Sequence, residues 1–158
     1  YKARAIDIIG TPIPPLPDLK VTSIATNAPG SVDQPFTVTW VVKNDGEGAA
    51  PGQWIDTVFL HNKPTMSESG SEVWTLGSFM RPQGLDSLAT YQQVQAFDLS
   101  PAARGLYVTV LTDTAFDPSV KESDETNNGL TVGTAVTARP ADLRVVSIDA
   151  PASGNFSG

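Results

Sequence analysis

Cysteine is absent from the 158 residues. A disulfide frame, a structural thiolate metal site and a cysteine nucleophile are therefore all excluded, although the absence does not fix the compartment. Positive charge is scarce, with 10 Lys and Arg against 17 Asp and Glu and a net charge of −7. That balance opposes nucleic-acid phosphates and anionic membrane surfaces, so no nucleic-acid partner and no membrane insertion is expected. No run approaches the ~18 apolar residues of a membrane-spanning helix. A single histidine, His61, sits at a strand end, and no Ser-His-Asp arrangement can be assembled around it. With neither a nucleophile nor a base pair in view, the chain does not read as an enzyme.

Glycine and proline are plentiful instead, 13 of each, and 40% of the residues are hydrophobic. This is enough for one well-buried core, and one domain with tails is expected. Pro35–Asn44 is the clearest strand: Phe36, Val38, Trp40 and Val42 share one face, and Thr37, Thr39 and Lys43 the other. Trp40 is expected in the core. Asn44-Asp45-Gly46-Glu47-Gly48 is a turn signal, and Trp54–Asn62 follows with Trp54, Asp56, Val58 and Leu60 in phase. Further strands are read at Asp18–Thr26, Glu72–Met80, Thr90–Leu99, Gly105–Asp113 and Leu130–Thr137. Seven strands with turns between them and no helical period predict an all-β, two-sheet sandwich.

The stretch Asp113–Gly129 gathers oxygen-bearing side chains more densely than any other: Asp113, Asp117, Glu122, Asp124, Glu125, Asn127 and Asn128. Carboxylate and amide oxygens are what a hard cation such as calcium takes, and so many like charges repel without a counter-ion. On composition alone a solvated acidic turn, screened by Lys121 and water, accounts for it equally well. The ligand ladder of an EF-hand is absent.

The run Asp142-Leu143-Arg144-Val145-Val146-Ser147-Ile148 repeats Asp18-Leu19-Lys20-Val21-Thr22-Ser23-Ile24 nearly position for position. The chain therefore reads as a slice of a tandem array. Residues 1–16 are the end of a preceding repeat plus a Pro-rich connector (Thr11–Pro17 favours extended polyproline geometry), residues 17–139 the complete domain, and residues 140–158 the first strand of a following repeat. The two partial repeats are expected to pack as strands against a sandwich, their own or that of a neighbouring copy. Tyr1 is preceded by neither initiator Met nor leader, so the chain is expected to be a piece of a mature protein.

Several motifs carry a family resemblance across about Pro17 to Ala138. They are Pro17-Asp18-Leu19, Trp40-Val41-Val42-Lys43-Asn44 with Gly46 and Gly48, Trp54-x-Asp56-x-Val58-x-Leu60, Leu76-Gly77-x-Phe79, Gly105-x-Tyr107, and Thr112-Asp113 followed by Val120-x-Glu122-x-Asp124-Glu125-x-Asn127-Asn128. The set resembles the CARDB domain, a cell-adhesion-related domain of bacterial surface and secreted proteins. The resemblance implies an immunoglobulin-like, seven-stranded antiparallel sandwich, extracellular or cell-surface placement, and a non-catalytic structural or adhesive role. The expected partners are neighbouring repeats or other copies of the chain, with a cell-surface protein or glycan besides; the resemblance names no particular ligand.

In such a topology the third strand begins, and the sixth ends, at one pole, which brings Asp56 towards Asp113. An inward carboxylate must be paired, hydrogen-bonded or metal-bound. Asp56, Asp113, Glu122, Asp124, Glu125, Asn127 and Asn128 are accordingly the candidate metal ligands, with calcium the expected ion and rigidity its role. The rival reading is a carbohydrate-binding module accessory to a secreted hydrolase, with Trp54, Trp74 and Tyr91 as a stacking platform. It requires at least two of these rings exposed on one face.

Overall fold

The structure is a computed structural model, and it describes residues 12–27, 35–114, 120–138 and 144–148. The strands are β1 (Leu19–Thr26), β2 (Phe36–Asn44), β3 (Trp54–His61), β4 (Val73–Arg81), β5 (Thr90–Phe97), β6 (Gly105–Leu111) and β7 (Gly129–Val136). Each expected strand is present, with its ends within two residues of the expected ones. They form two antiparallel sheets, one ordered β1-β2-β5 and the other β4-β3-β6-β7. This is the immunoglobulin-like sandwich.

Alternation makes the core. Phe36, Val38, Trp40 and Val42 are buried along one face of β2, and Trp54, Val58, Leu60, Val108 and Val110 answer from the facing sheet. Trp40 has no solvent exposure and meets Phe79 with ring centroids 5.7 Å apart. β3 is central in its sheet and mostly buried on both faces, which is why polar Asp56, Thr57 and His61 are inside too. His61 is satisfied structurally: its ring nitrogens meet the Lys63 carbonyl at 2.6 Å and the Thr109 hydroxyl at 2.7 Å, and it stacks on Tyr107.

The two sheets close along one side, where β1 lies against β7 and the Thr26 and Thr134 hydroxyls share a hydrogen bond of 3.3 Å. β1 begins beside the end of β2, with Leu19 opposite Asn44, and β7 begins beside the end of β6, with Gly129 opposite Leu111. The chain thus enters the sandwich at one pole and leaves β7 at the other.

Arg144–Ile148 bears on one of the two placements expected for the partial repeats, packing on the chain's own sandwich. These residues join no strand, and Val145, Val146 and Ile148 are 77%, 86% and 84% exposed, so this segment does not pack on its own sandwich. The place its sequence would take, beside β2, is already filled by Leu19–Thr26. The other partial repeat, Tyr1–Gly10, lies outside the described residues.

Candidate metal centre at the entry pole

Three chain segments meet at the pole where β1 begins: residues 12–18, the β2–β3 turn and the loop after β6. The Thr114 N–H donates to the Ile55 carbonyl at 2.9 Å, tying the end of β6 to the start of β3. Asp113 sits at φ 50°, in the left-handed region that a non-glycine residue rarely adopts.

Of the residues expected as ligands, the structure brings Asp113, Glu122 and Glu125 together, with one carboxylate oxygen from each lying within 4.8 Å of the others. Glu122 is the most buried. One of its oxygens accepts the Leu19 N–H and the other accepts the Asn128 amide at 2.7 Å. Glu125 accepts the Glu122 N–H at 2.9 Å. Among the described residues, Asp113 Oδ2, Asn127 Oδ1 and Asn128 Oδ1 are buried without a hydrogen-bond partner. All three are acceptors, and no donor among the described residues reaches them.

The electrostatics follow from that crowding. Burial pushes the Glu122 carboxyl up to about 7, against the opposing pull of the Leu19 N–H and Asn128, and the charges of Asp113 and Glu125 raise it further. Asp113 is pushed up to about 6, again chiefly by burial, with the Val120 N–H opposing and the Glu125 and Asp56 charges adding.

The remaining expected residues are placed otherwise. Asp56, though close behind the pole, has its carboxylate engaged by three donors: Trp40 Nε1 at 2.7 Å, the Tyr91 hydroxyl at 2.7 Å and the Thr112 hydroxyl at 2.8 Å. It answers the demand of an inward carboxylate by hydrogen bonding. Burial raises its pKa while those donors lower it. Asp124 is exposed and turned to the Thr126 N–H and hydroxyl at 2.9 and 2.6 Å. The Asn127 amide nitrogen donates to Asp18 at 2.9 Å and to Asp124 at 3.1 Å, and its oxygen has no partner among the described residues.

Sequence reasoning missed the receiver on the other side of the pole. The Asn44 side chain is fully buried, accepts the Asp18 and Gly46 N–H groups at 3.0 and 3.1 Å, and donates to the Gly48 and Leu85 carbonyls. A Cβ on Gly48 would lie 2.0 Å from the Pro15 carbonyl oxygen, and one on Gly46 would lie 2.5 Å from that of Leu16. These glycines exist to let the incoming Pro-rich segment pass. The Gly48 N–H bonds the Leu16 carbonyl at 3.1 Å, and the Ser123 N–H bonds that of Pro17 at 2.9 Å from the acidic loop. In the sequence the Asn44–Gly48 run reads as a turn and as part of the family resemblance, and neither reading reveals the crossing segment.

The stacking platform fails its own requirement. Trp54 and Tyr91 are buried and bonded to one another, Trp54 Nε1 donating to the Tyr91 hydroxyl at 3.0 Å, and Trp74 is half-buried against the core.

Fold and pole together define a small antiparallel β-sandwich with an acidic cluster where the chain enters. The CARDB family profile matches residues 16–132, and the chain belongs to that family. CARDB is a cell-adhesion-related domain family of bacteria, which supports a non-catalytic, surface-type module. The chain is similar in structure to a CARDB domain from Pyrococcus furiosus crystallised in complex with di-metal ions, at TM-score 0.56 and 17% identity, covering 78% of this chain and 96% of that one. It is likewise similar to the solution structure of a CARDB domain from the same organism, at 0.53 and 20%, covering 77% and 95%. A third similar structure is a domain of a putative cell surface protein from Methanosarcina acetivorans, at 0.51 and 21%, covering 77% and 93%. Among curated proteins none matches the chain. Among the described residues no helix is long and apolar enough to cross a membrane.

Proposed function

We propose that this chain is a non-catalytic, immunoglobulin-like repeat of a bacterial surface or secreted protein, a structural or adhesive element stiffened by calcium at the entry pole. The observation that carries the metal is the combination of three converging carboxylates with three buried acceptor oxygens that lack partners. One bound cation can satisfy acceptors of this kind together, and an all-oxygen set selects a hard one. The di-metal complex of the Pyrococcus furiosus domain gives the reading support from within the family. Asp113, Glu122 and Glu125 would hold the ion, with Asn127 and Asn128 contributing amide oxygens.

Calcium here performs no reaction. The loop that carries Glu122 and Ser123 also holds Pro17 and Leu19, so an ion that orders the loop fixes the angle at which the Pro-rich segment enters. Residues 1–16 and 140–158 then belong to the neighbouring repeats, and the domain acts as one stiff link in a series outside the cell. Neighbouring repeats are its first partners, and a cell-surface protein or glycan its adhesive target.

Calorimetric titration of the whole chain with calcium, together with melting in calcium and in chelator, tests the proposal. Saturable binding and a higher melting temperature in calcium are expected, because a ligand that binds only the folded state raises stability by roughly RT ln(1 + [L]/Kd). No heat and an unchanged melting temperature would overturn it.

A further inference from the structure

Each of the four sheet edges in this sandwich presents backbone groups to pairing, and three are protected. β1 carries Lys20 and an extra residue, Thr22, between Val21 and Ser23 that breaks register with β2. β4 carries Arg81 and an extra Leu76 opposite the Val58–Phe59 step of β3. β7 has an irregularity opposite Gly105–Tyr107, and β1 lies against it. Bulges and charges of this kind are how edges avoid adding a foreign strand.

β5 has none of these devices. Thr90–Phe97 reads Thr-Tyr-Gln-Gln-Val-Gln-Ala-Phe, with no charge, proline or glycine, and pairs with β2 in unbroken register from Phe36↔Phe97 to Lys43↔Thr90. Among the described residues no strand pairs with its outer edge. Val94, at the middle of the strand, is 51% exposed.

We propose that the β5 edge is a homotypic docking surface, on which a second copy of this chain adds its own β5 antiparallel about a two-fold axis through Val94. The net charge of −7 makes one copy repel another over most of the surface, and a strand without charges is where approach meets least opposition. The strand itself carries no charged side chain for a strongly charged peptide to pair with, and the guanidinium beside it, Arg81 from β4, is already seated over the Tyr91 ring at 4.0 Å. The strand is also self-complementary. Residues directly opposite each other in an antiparallel pair point to the same face, so the two-fold must pass through a residue. Placing it at Val94 sets Val94 against Val94 on the outer face, with Gln93 against Gln95 and Tyr91 against Phe97 on the inner one. These are favourable cross-strand pairs, whereas a two-fold at Gln93 opposes Gln92 to Val94 and Tyr91 to Gln95. The result joins two β1-β2-β5 sheets into one continuous six-stranded sheet and satisfies both free edges.

Sedimentation of the intact chain tests this directly. A single added strand pair makes a small interface, so a reversible monomer–dimer equilibrium is expected across roughly 5 to 500 µM. V94K puts two like charges face to face at an already exposed position, and should weaken dimerisation at least about tenfold while leaving the melting temperature unchanged. Because the chain has no cysteine, V94C introduces a single thiol, and oxidation should give a disulfide-linked dimer. Q92C, displaced along the strand from its symmetry mate, should not. A monomer throughout the concentration range, a dimer that V94K leaves intact, or cross-linking at Q92C that equals that at V94C would each overturn the proposal.

Discussion

The Trp40 indole donates its Nε1–H to Asp56 Oδ2 at 2.7 Å across the gap between the sheets, so the largest fully buried side chain of the core is anchored to a carboxylate held by three donors. Trp40 comes from β2 and Asp56 from β3, and the bond therefore couples the packing of the sheets to a polar contact at one pole. Trp40→Phe keeps most of the ring but removes the donor, and should lower unfolding free energy by about 1–3 kcal/mol; Trp40→Ala should cost about 3–5 kcal/mol. Urea denaturation of the two variants separates the hydrogen bond from the cavity.

Removing metal ligands should act on calcium before it acts on the fold. Glu125 is exposed, so Glu125→Gln should weaken calcium binding while changing the chelator-treated melting temperature little. Asp113→Ala and Glu122→Ala should abolish the calcium-dependent part of the melting shift, measured by thermal unfolding with and without calcium.

The metal-free protein should lose stability as pH rises. Glu122, ordinarily at 4.5, is at about 7 in the folded state, and Asp113, ordinarily at 3.8, is at about 6. A raised carboxyl holds its proton longer folded than unfolded. It imposes no penalty below the unfolded pKa, a growing one between the two values, and the full one above the folded pKa. Melting in chelator should fall between roughly pH 5 and pH 8, and calcium or Glu122→Gln should flatten the slope. A flat chelator profile would refute the crowding of these carboxyls.

Gly48→Ala should disturb the entry segment. Its Cβ would overlap the Pro15 carbonyl oxygen, and backbone cannot step aside as a flexible side-chain tip can. We expect a loss of about 1–3 kcal/mol and faster amide exchange at Leu19 and Gly48, with the β3–β6 amides unchanged. Hydrogen exchange read residue by residue checks it.

The sandwich was legible because its strands alternate so plainly: Phe36, Val38, Trp40 and Val42 declare a face without any knowledge of what lies opposite. The acidic cluster was legible for the same local reason, since Asp113, Glu122 and Glu125 lie in one short stretch. Asp56 was harder. Its phase says that it points inward, but Trp40, Tyr91 and Thr112 arrive from three other parts of the chain, and only the packing of the sheets brings them to it. Trp54 and Tyr91 were ambiguous because an aromatic ring suits a core and a sugar face equally, and burial depends on the neighbouring sheet. The passage over Gly46 and Gly48 could not be read at all, because a tight turn and a close crossing use the same residue.

Entry at one pole and exit at the other has a mechanical consequence. In the proposed series of repeats, tension would pull on Leu19 at the start of β1 and on Val136 at the end of β7, in opposite directions and nearly parallel to the strands. The β1–β2 and β6–β7 hydrogen bonds are then loaded side by side, in shear, instead of being peeled open one after another from a strand end. Many bonds would have to give way together, and the lifetime of the domain under such a load would be set by its rate of unfolding.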